Sequence, residues 1–337
     1  MNNFFELSFD DQRRVFQQTS VRCGLPPQAI EKDLWVSTIL QIVFELPFAD
    51  KLIFKGGTSL SKVWHLIDRF SEDIDLAVDR SLFGFEGDLT KKQIKKLRKA
   101  SSLFVKDTFS PALQEAIKKH GLQNLCCIEP ESNGEGDYTY PEPRKIFIKY
   151  HSSWAESLDY LSPVVMLEIG ARSLFEPNEH SHINSLVESV FPTIKTTIAD
   201  SKVATALASK TFLEKAFLLH ELFSVEGRGA TADRKSRHLY DLSRMMDKDF
   251  ALTAINDDEL WESIRHHREI FTSISGMDYT PDIRKRIVLV PREDIQSVWE
   301  EDYKSMCSSM IFGEKPSFVQ LMEKMKVLED RFRNVNA

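Results

Sequence analysis

The feature that most constrains the fold is the segment from Phe54 to Asp79, "FKGGTSLSKVWHLIDRFSEDIDLAVD". The stretch "KLIFKGG" predicts a short strand that ends at two glycines, and "TSLSKVWHLI" predicts a helix with hydroxyl residues at its start. "DIDLAV" alternates polar and apolar residues, which predicts a second strand. Strands and a helix alternating within one short segment indicate an α+β core.

The glycines and hydroxyls of this turn predict a nucleotide-binding site. Because glycine has no side chain, a phosphate can closely approach the free backbone N–H groups at Gly56 and Gly57. Thr58 and Ser59 add hydroxyl donors at the same helix start. We therefore expect all four residues to contact the nucleotide.

The aspartates of the second strand predict a metal site. Residues i and i+2 of a strand point to one face, so Asp73 and Asp75 project together while Ile74 and Leu76 face the core. Two carboxylates beside a phosphate site favour Mg²⁺ (or Mn²⁺) and the two-metal mode of phosphoryl transfer. Ser71 lies two residues before Asp73, and we expect it to share the carboxylate face and donate to a phosphate.

Length and composition exclude several classes of protein. A chain of 337 residues with 42% hydrophobic content can bury a sizeable core, and its length favours two domains. We find no run of about eighteen apolar residues and no signal-peptide pattern, so we expect a cytoplasmic protein without membrane contact. The four cysteines show no CxxC spacing, which indicates neither a zinc site nor a disulfide framework.

The charge distribution limits how the chain could bind nucleic acid. Its net charge of -7 gives no overall attraction to phosphate backbones, so an RNA partner requires a local basic patch. "KKQIKKLRK", from Lys91 to Lys99, predicts a basic helix face that could track an RNA backbone. The alternative interpretation of this run is an ordinary solvated helix face.

The order of predicted elements divides the chain into an α+β half and a helical half. "PPQAIEKDLWVSTILQIVFELPF" predicts a helix before the glycines, and "RKIFIKYHS" and "SPVVMLEIGARS" predict two further strands. Beyond about residue 199, "SKVATALASKTFLEKAFLLHELF" and "SRHLYDLSRMM" predict helices. We therefore predict a domain boundary between residues 198 and 199.

These motifs resemble those of a known family. The glycine pair followed by "DIDL" resembles the signature of the nucleotidyltransferase superfamily that includes DNA polymerase beta. More narrowly, "KGGTSLSK" followed by "RFSEDIDL" resembles the AbiEii family of nucleotidyltransferase toxins, found in toxin–antitoxin and phage-defence systems. "VVMLEIGARS", "TFLEKAFLLHEL" and "SRHLYDL" extend the resemblance, which covers about Ile30 to Met246.

The resemblance implies further site residues. Glu168 is expected to be the third metal-binding carboxylate, although an edge-strand glutamate in solvent is the alternative. Lys215 is expected to act in catalysis and nucleotide binding, against the alternative of a surface lysine. Asp241 is expected near Lys215 and the nucleotide, as a catalytic residue with Asp73 and Asp75. Some relatives carry a further aspartate where His238 stands, and this departure leaves His238 without an assigned role.

The resemblance also implies a fold and a function. We expect a polymerase-beta-like core with a mixed sheet and N-terminal helices in residues 1–198, and a mainly α-helical domain in residues 199–337 that completes the active-site cleft. The implied reaction is Mg²⁺-dependent transfer of NMP from an NTP to an acceptor, foremost the 3′ end of tRNA, which would block translation. The alternatives are nucleotidylation of a protein side chain and a catalytically silent nucleotide-binding module that docks a partner. A cognate antitoxin is implied, which either contacts the toxin or acts on its expression or targets.

Overall fold

A computed structural model describes residues 2–132, 139–154, 161–195 and 202–335 of the chain. The chain forms two compact units. The first comprises Met1–Val63 and Phe70–Ala206, and the second comprises Trp64–Arg69 and Leu207–Ala337. The predicted boundary between residues 198 and 199 lies outside the described residues.

The first unit combines helices with all the strands of the described chain. Its helices are α1 (Phe9–Cys23), α2 (Pro27–Val43), α3 (Gly56–Lys62), α4 (Lys91–Phe104), α5 (Ser110–Lys119) and α6 (Leu186–Val190). Its strands are β1 (Asn2–Asn3), β2 (Leu52–Lys55), β3 (Asp73–Val78), β4 (Cys126–Pro130), β5 (Arg144–Tyr150), β6 (Val164–Gly170), β7 (Asn178–His182), β8 (Ile194–Lys195) and β9 (Lys202–Ala206). A π-helical segment, Val105–Phe109, joins α4 to α5.

The main sheet of this unit is mixed. In the described residues it contains seven strands in the order β4-β5-β6-β3-β2-β9-β7. β3 runs parallel to β6 and β2 runs parallel to β9, while the other neighbouring pairs are antiparallel. β1 and β8 form a separate two-stranded parallel ladder. The mixed sheet and its helices confirm the predicted α+β class.

Helices cover one face of this sheet. Ile74 and Leu76 of β3 are fully buried, and they share a face with Glu72, the residue that precedes the strand. Glu72 forms an ion pair with Lys32 of α2, so α2 lies on that apolar face. Asp73 and Asp75, which are half-buried, therefore point to the opposite face.

Strand β9 corrects one prediction. The sequence pattern from residue 201 onwards predicted continuous helix, but Lys202–Ala206 pairs with β7 along its length and with β2 at Phe54. Two β-branched residues, Val203 and Thr205, favour an extended chain that is buried between neighbouring strands. Helix begins only after this strand.

The second unit is helical in its described residues, as predicted. Its helices are α7 (Ala208–Ser224), α8 (Ser236–Met245), α9 (Asp249–Ile255), α10 (Asp258–Phe271), α11 (Gln296–Ser309) and α12 (Phe318–Arg333). Aromatic pairs join them, with ring centroids 4.4 Å apart for Phe217 and Trp261 and 6.1 Å apart for Phe212 and Phe332. In the described part of the chain, no helix is both long and apolar enough to cross a membrane.

The segment Trp64–Arg69 belongs to the helical unit although it follows α3 in sequence. The carbonyl of Asp68 accepts hydrogen bonds from the backbone N–H groups of Phe312 and Gly313, at 3.1 and 3.2 Å. The Asp68 carboxylate lies 2.9 Å from Arg244. These contacts hold Asp68 within the helical unit. Arg69, the next residue, belongs to the same unit although it precedes the predicted metal-binding strand.

Candidate active site

The glycine turn brings α3 against the aspartate strand. Gly56 has a positive φ of 80°, a conformation that glycine adopts without strain. A Cβ atom at Gly56 would lie 2.1 Å from Oδ2 of Asp75, so any side chain there would displace the carboxylate. Glycine is therefore required at this position by both the backbone and the neighbouring strand.

The hydroxyl residues of the turn are engaged within the protein. Thr58 is buried, and its Oγ1 donates to the carbonyl of Asp73 at 2.5 Å and lies 2.9 Å from Oγ of Ser71. Ser59 is also buried, and its Oγ donates to the carbonyl of Gly56 at 2.8 Å. The Thr58 hydroxyl fixes the start of β3 to α3, and contact of either hydroxyl with a nucleotide stays a prediction.

A row of charged residues crosses the sheet at the level of Asp75. In the register of the strands, Asp75 lies opposite Lys55 of β2 on one side and Glu168 of β6 on the other, and Glu168 lies opposite Lys145 of β5. Residues directly opposite each other point to the same face of a sheet. Asp75 and Glu168 are thus brought together from neighbouring strands, and Asp73 lies two residues away along β3 on the same face.

Glu168 already has a partner in this row. Its Oε1 lies 3.0 Å from Nζ of Lys145, and the side chains of Lys145 and Glu168 are 36% and 27% exposed. The hydrogen bond that Lys145 donates to Glu168 is the main cause that raises the pKa of Lys145, helped by the charges of Glu168, Glu131 and Asp73. A metal ion at Glu168 would share the carboxylate with this lysine or displace it.

The carboxylates on this face fit a hard divalent cation. Across the described ranges, no three His, Cys, Asp or Glu side chains are arranged so that they could hold a metal ion. Mg²⁺, however, is commonly bound by one or two protein carboxylates together with substrate phosphates and water. Asp73 and Asp75 supply two such carboxylates from one strand face beside a glycine that leaves room for Asp75.

The second unit holds the other predicted residues in a buried ion-pair cluster. Asp241 of α8 is fully buried and receives two hydrogen bonds from Arg69, to Oδ1 at 2.7 Å and to Oδ2 at 2.8 Å. Nζ of Lys215 on α7 lies 2.9 Å from the same Oδ2. Two buried cations therefore share one carboxylate, and the cluster has an excess positive charge.

The pKa shifts follow from this burial and pairing. Burial lowers the pKa of Lys215; Asp241 opposes this effect, and the neighbouring Arg69 reinforces it. Burial by itself would raise the pKa of Asp241, but the charges of Arg69 and Lys215 outweigh burial and hold that pKa far below its usual range. Asp241 is accordingly ionised at neutral pH.

His238 completes the cluster. Its Nδ1 lies 3.2 Å from Nζ of Lys215. Burial, followed by the charges of Lys215 and Arg237, lowers the pKa of His238 well below its usual value. The imidazole is therefore neutral, and its Nδ1 can accept a hydrogen bond from the lysine amine. A neutral ring orients Lys215 without cancelling the positive charge.

Comparison with protein families gives a match over most of the chain. The family described as "Nucleotidyl transferase AbiEii toxin, Type IV TA system" matches residues 38–324. The chain belongs to this family. As an AbiEii family member it is a nucleotidyltransferase toxin of a type IV toxin–antitoxin system, which implies a cognate antitoxin.

Comparison with solved structures includes the nucleotidyltransferase toxin MenT4, Rv2826c, from Mycobacterium tuberculosis H37Rv. The two chains are 13% identical, the match covers 94% of this chain and 97% of MenT4, and the TM-score is 0.46. Comparison with curated proteins gives no match.

The predicted site residues of this AbiEii family member fall into two groups. The first unit brings together the turn and the carboxylates, namely Gly56, Gly57, Thr58, Ser59, Ser71, Asp73, Asp75 and Glu168. The second unit pairs Lys215 with Asp241, as predicted. The catalytic and nucleotide-binding roles of all these residues stay predictions.

Sequence reasoning missed several charged partners of this site. The structure pairs Arg69 with Asp241. It also pairs Lys62 with Asp33 of α2 at 2.5 Å. The signal that could have revealed this pairing is the run "EKD", Glu31 to Asp33, within an otherwise apolar helical pattern.

Proposed function

We propose that this AbiEii family member transfers a nucleoside monophosphate from an NTP to the 3′ end of tRNA, releases pyrophosphate and thereby blocks translation in the cytoplasm. The observation that carries this proposal is the sheet register, in which Asp75 neighbours Glu168 on the face that also bears Asp73. Membership of a nucleotidyltransferase toxin family supports the reaction class. The metal and the acceptor are inferred from the chemistry of the residues.

The first unit would supply the metal and phosphate contacts. Asp73 and Asp75 would hold Mg²⁺ or Mn²⁺, with Glu168 as a third ligand. The bound ion would neutralise phosphate charge and favour ionisation of the acceptor hydroxyl. Gly56 and Gly57 would allow phosphate oxygens to approach the backbone closely, because neither residue has a side chain.

The second unit would supply a cation for an anionic ligand. Lys215 forms an ion pair with Asp241 and a hydrogen bond with His238, and these two contacts would orient its amine for an anionic ligand. Asp241 would act by orienting the amine, since it is fully buried and already accepts from Arg69. The excess positive charge of the cluster favours an anionic ligand.

A basic surface on the first unit supports RNA over a protein acceptor. The cations of α4 are all exposed, and no ion pair of the described residues includes them: Lys91, Lys92, Lys95, Lys96, Arg98 and Lys99. Such a face attracts a phosphate backbone despite the acidic net charge of the chain. An RNA with an accessible 3′ hydroxyl fits both this surface and the proposed reaction.

The test is a transfer assay with each of the four α-labelled NTPs, total tRNA and Mg²⁺. We expect label in RNA that resists protease and is removed by ribonuclease, and no label with tRNA whose 3′ end has been oxidised. Label that stays with protein would favour nucleotidylation of a side chain. No transfer to either class of acceptor, with any NTP and with Mg²⁺ or Mn²⁺, would contradict the proposal.

A further inference from the structure

Helix α2 carries three consecutive ionisable residues in an otherwise apolar, buried environment. Glu31, Lys32 and Asp33 are 2%, 3% and 9% exposed, and nearly the whole helix around them is buried. Buried charges are costly unless each one is paired and hydrogen-bonded. Lys32 contacts Glu72, immediately before β3, and Asp33 contacts Lys62, at the end of α3. These two contacts lie at the two ends of the segment that joins α3 to β3.

Lys32 holds the chain at the entrance to β3. Its Nζ forms a short ion pair with Glu72, the residue immediately before Asp73, and donates to the carbonyl of Ser162 at 3.1 Å. The side chains of Lys32 and Glu72 are 4% and 15% exposed, so solvent screens this pair only weakly. The position of Glu72 along the strand direction is thus set by α2.

Asp33 holds the end of α3. Its Oδ1 accepts from Nζ of Lys62, the last residue of α3, at 2.5 Å, and its Oδ2 accepts from the backbone N–H of Leu186 at 2.7 Å. Both side chains of the ion pair are about one-tenth exposed. Adjacent residues of one helix therefore fix α3 and the start of β3.

Thr58 closes the arrangement by joining α3 directly to β3. Its hydroxyl donates to the carbonyl of Asp73 at 2.5 Å and contacts Ser71. The three elements α2, α3 and β3 are thus connected pairwise by polar side chains, and each connection is at least partly buried. The shared result is a fixed placement of Asp73 and Asp75 relative to Gly56.

We infer that Lys32 and Asp33 are positioning residues, which hold the two aspartates of β3 in the geometry that binds the divalent ion. The inference deepens the proposed function and rests on it for the identity of the ligand. Partners that orient metal ligands commonly change metal affinity or activity by about 10- to 100-fold when removed. A buried ion pair is poorly explained by stability alone, since apolar residues of similar volume often replace one without loss.

The experiment compares three variants of the full chain. Lys32→Met combined with Glu72→Met removes the buried pair without leaving an orphaned charge. Asp33→Asn weakens the pair with Lys62 but keeps an acceptor for the N–H of Leu186. Lys51→Met is the matched control, because it removes an ion pair with Asp79 at the other end of β3. Each variant is measured for Tm, for Mn²⁺ affinity by titration calorimetry, and for amide hydrogen exchange in residues 71–78.

We expect the double variant to keep its Tm within a few degrees, to bind Mn²⁺ about tenfold more weakly, and to exchange the amides near Asp73 faster. Asp33→Asn should show the same changes to a smaller degree, and the control should show neither. If the double variant does not fold, Asp33→Asn decides the outcome. Mn²⁺ affinity and exchange within twofold of the unmodified protein would overturn the inference.

Hydrogen exchange separates this inference from the proposed function. If the unmodified protein binds no Mn²⁺, the proposed metal-dependent reaction fails. Exchange near Asp73 then decides the positioning role by itself: faster exchange in the variants supports it, and unchanged exchange overturns it.

Discussion

The carboxylates of the two units lie in opposite environments. Asp75 is half-buried on a strand face, beside a glycine that leaves room for its side chain and opposite another carboxylate residue, Glu168. Asp241 is fully buried and is neutralised by Arg69 and Lys215. A partly exposed carboxylate can exchange protein contacts for a ligand, whereas a fully buried one serves to hold its fixed cations.

This difference predicts that the two aspartates fail in different ways when they are replaced. Loss of the Asp75 charge should affect chemistry more than folding, because solvent already reaches the side chain. Loss of the Asp241 charge should affect folding first, because two buried cations would lose their counter-charge.

The largest expected effect is on activity. We expect Asp75→Asn to lower nucleotidyl transfer about 10³-fold, because the carboxylate would hold an ion that stabilises transition-state charge. Its Tm should change little. Steady-state transfer and thermal denaturation measure the two effects, and Glu129→Gln, in an exposed pair with Lys149, is the control. A rate close to that of the unmodified protein would exclude Asp75 as a metal ligand.

The second prediction concerns the stability of the helical unit. Asp241→Asn should lower the free energy of unfolding by about 3–5 kcal/mol, because it leaves Arg69 and Lys215 buried without a counter-charge. Urea denaturation followed by circular dichroism measures this loss. Asp247→Asn, which affects an exposed pair with Arg331, should lose less than about 1 kcal/mol. Equal losses in the two variants would show that burial of the Asp241 ion pairs adds nothing to stability.

A third prediction concerns acid sensitivity, also in the helical unit. Burial, helped by Arg286 and Arg333, lowers the pKa of His220 to about 4, and its Nδ1 accepts from the N–H of Val288 at 3.0 Å. The imidazole of the unfolded chain has a pKa of about 6.5. Above that pH, neutral His220 therefore makes its full contribution to the free energy of unfolding. It is lost as the pH falls through about 4, and the total is about 3 kcal/mol.

Urea denaturation at pH 7.5 and pH 4.5 tests this sign. The unfolding free energy of His220→Gln should depend less steeply on pH than that of the unmodified protein. An identical slope in His220→Gln and the unmodified protein would show that His220 does not cause the acid sensitivity.

The smallest expected effect concerns RNA affinity. Charge reversal at Lys92, Lys95 and Lys96 should weaken tRNA binding and lower its salt slope by about 2, while NTP binding stays intact. Helix α4 packs on the sheet face opposite Asp75, since Ser102 accepts from Arg144 on that face at 3.0 Å. The measurement therefore tests whether RNA binds to α4, which lies on the sheet face opposite the carboxylates.

Binding titrations at several salt concentrations give the slope. Charge reversal at Lys118 and Lys119, which are exposed on α5, is the control for a general loss of positive charge. If both sets of substitutions lower the slope equally, attraction is diffuse and α4 is not a specific RNA surface.

Local patterns in the sequence predicted the centre of the first unit correctly. The glycine pair marked the turn between β2 and α3, and the alternation of "DIDLAV" put Asp73 and Asp75 on one face of β3. Both inferences depend only on a few adjacent residues, whose backbone preferences and side-chain period decide the outcome. The same local reasoning failed for β9, where pairing with β2 and β7 overrides a pattern that continues into α7.

The sequence by itself determined the family, the elements around the glycine turn and the face of the two aspartates. Only the tertiary structure decided the partners of the buried charges: Arg69 with Asp241, Lys32 with Glu72, and Asp33 with Lys62. Each of these pairs joins residues far apart in the chain, and no local pattern specifies which distant segment will supply the opposite charge. Burial determines the pairing, because a charge removed from water is destabilising unless the packed chain brings an opposite charge within hydrogen-bond distance.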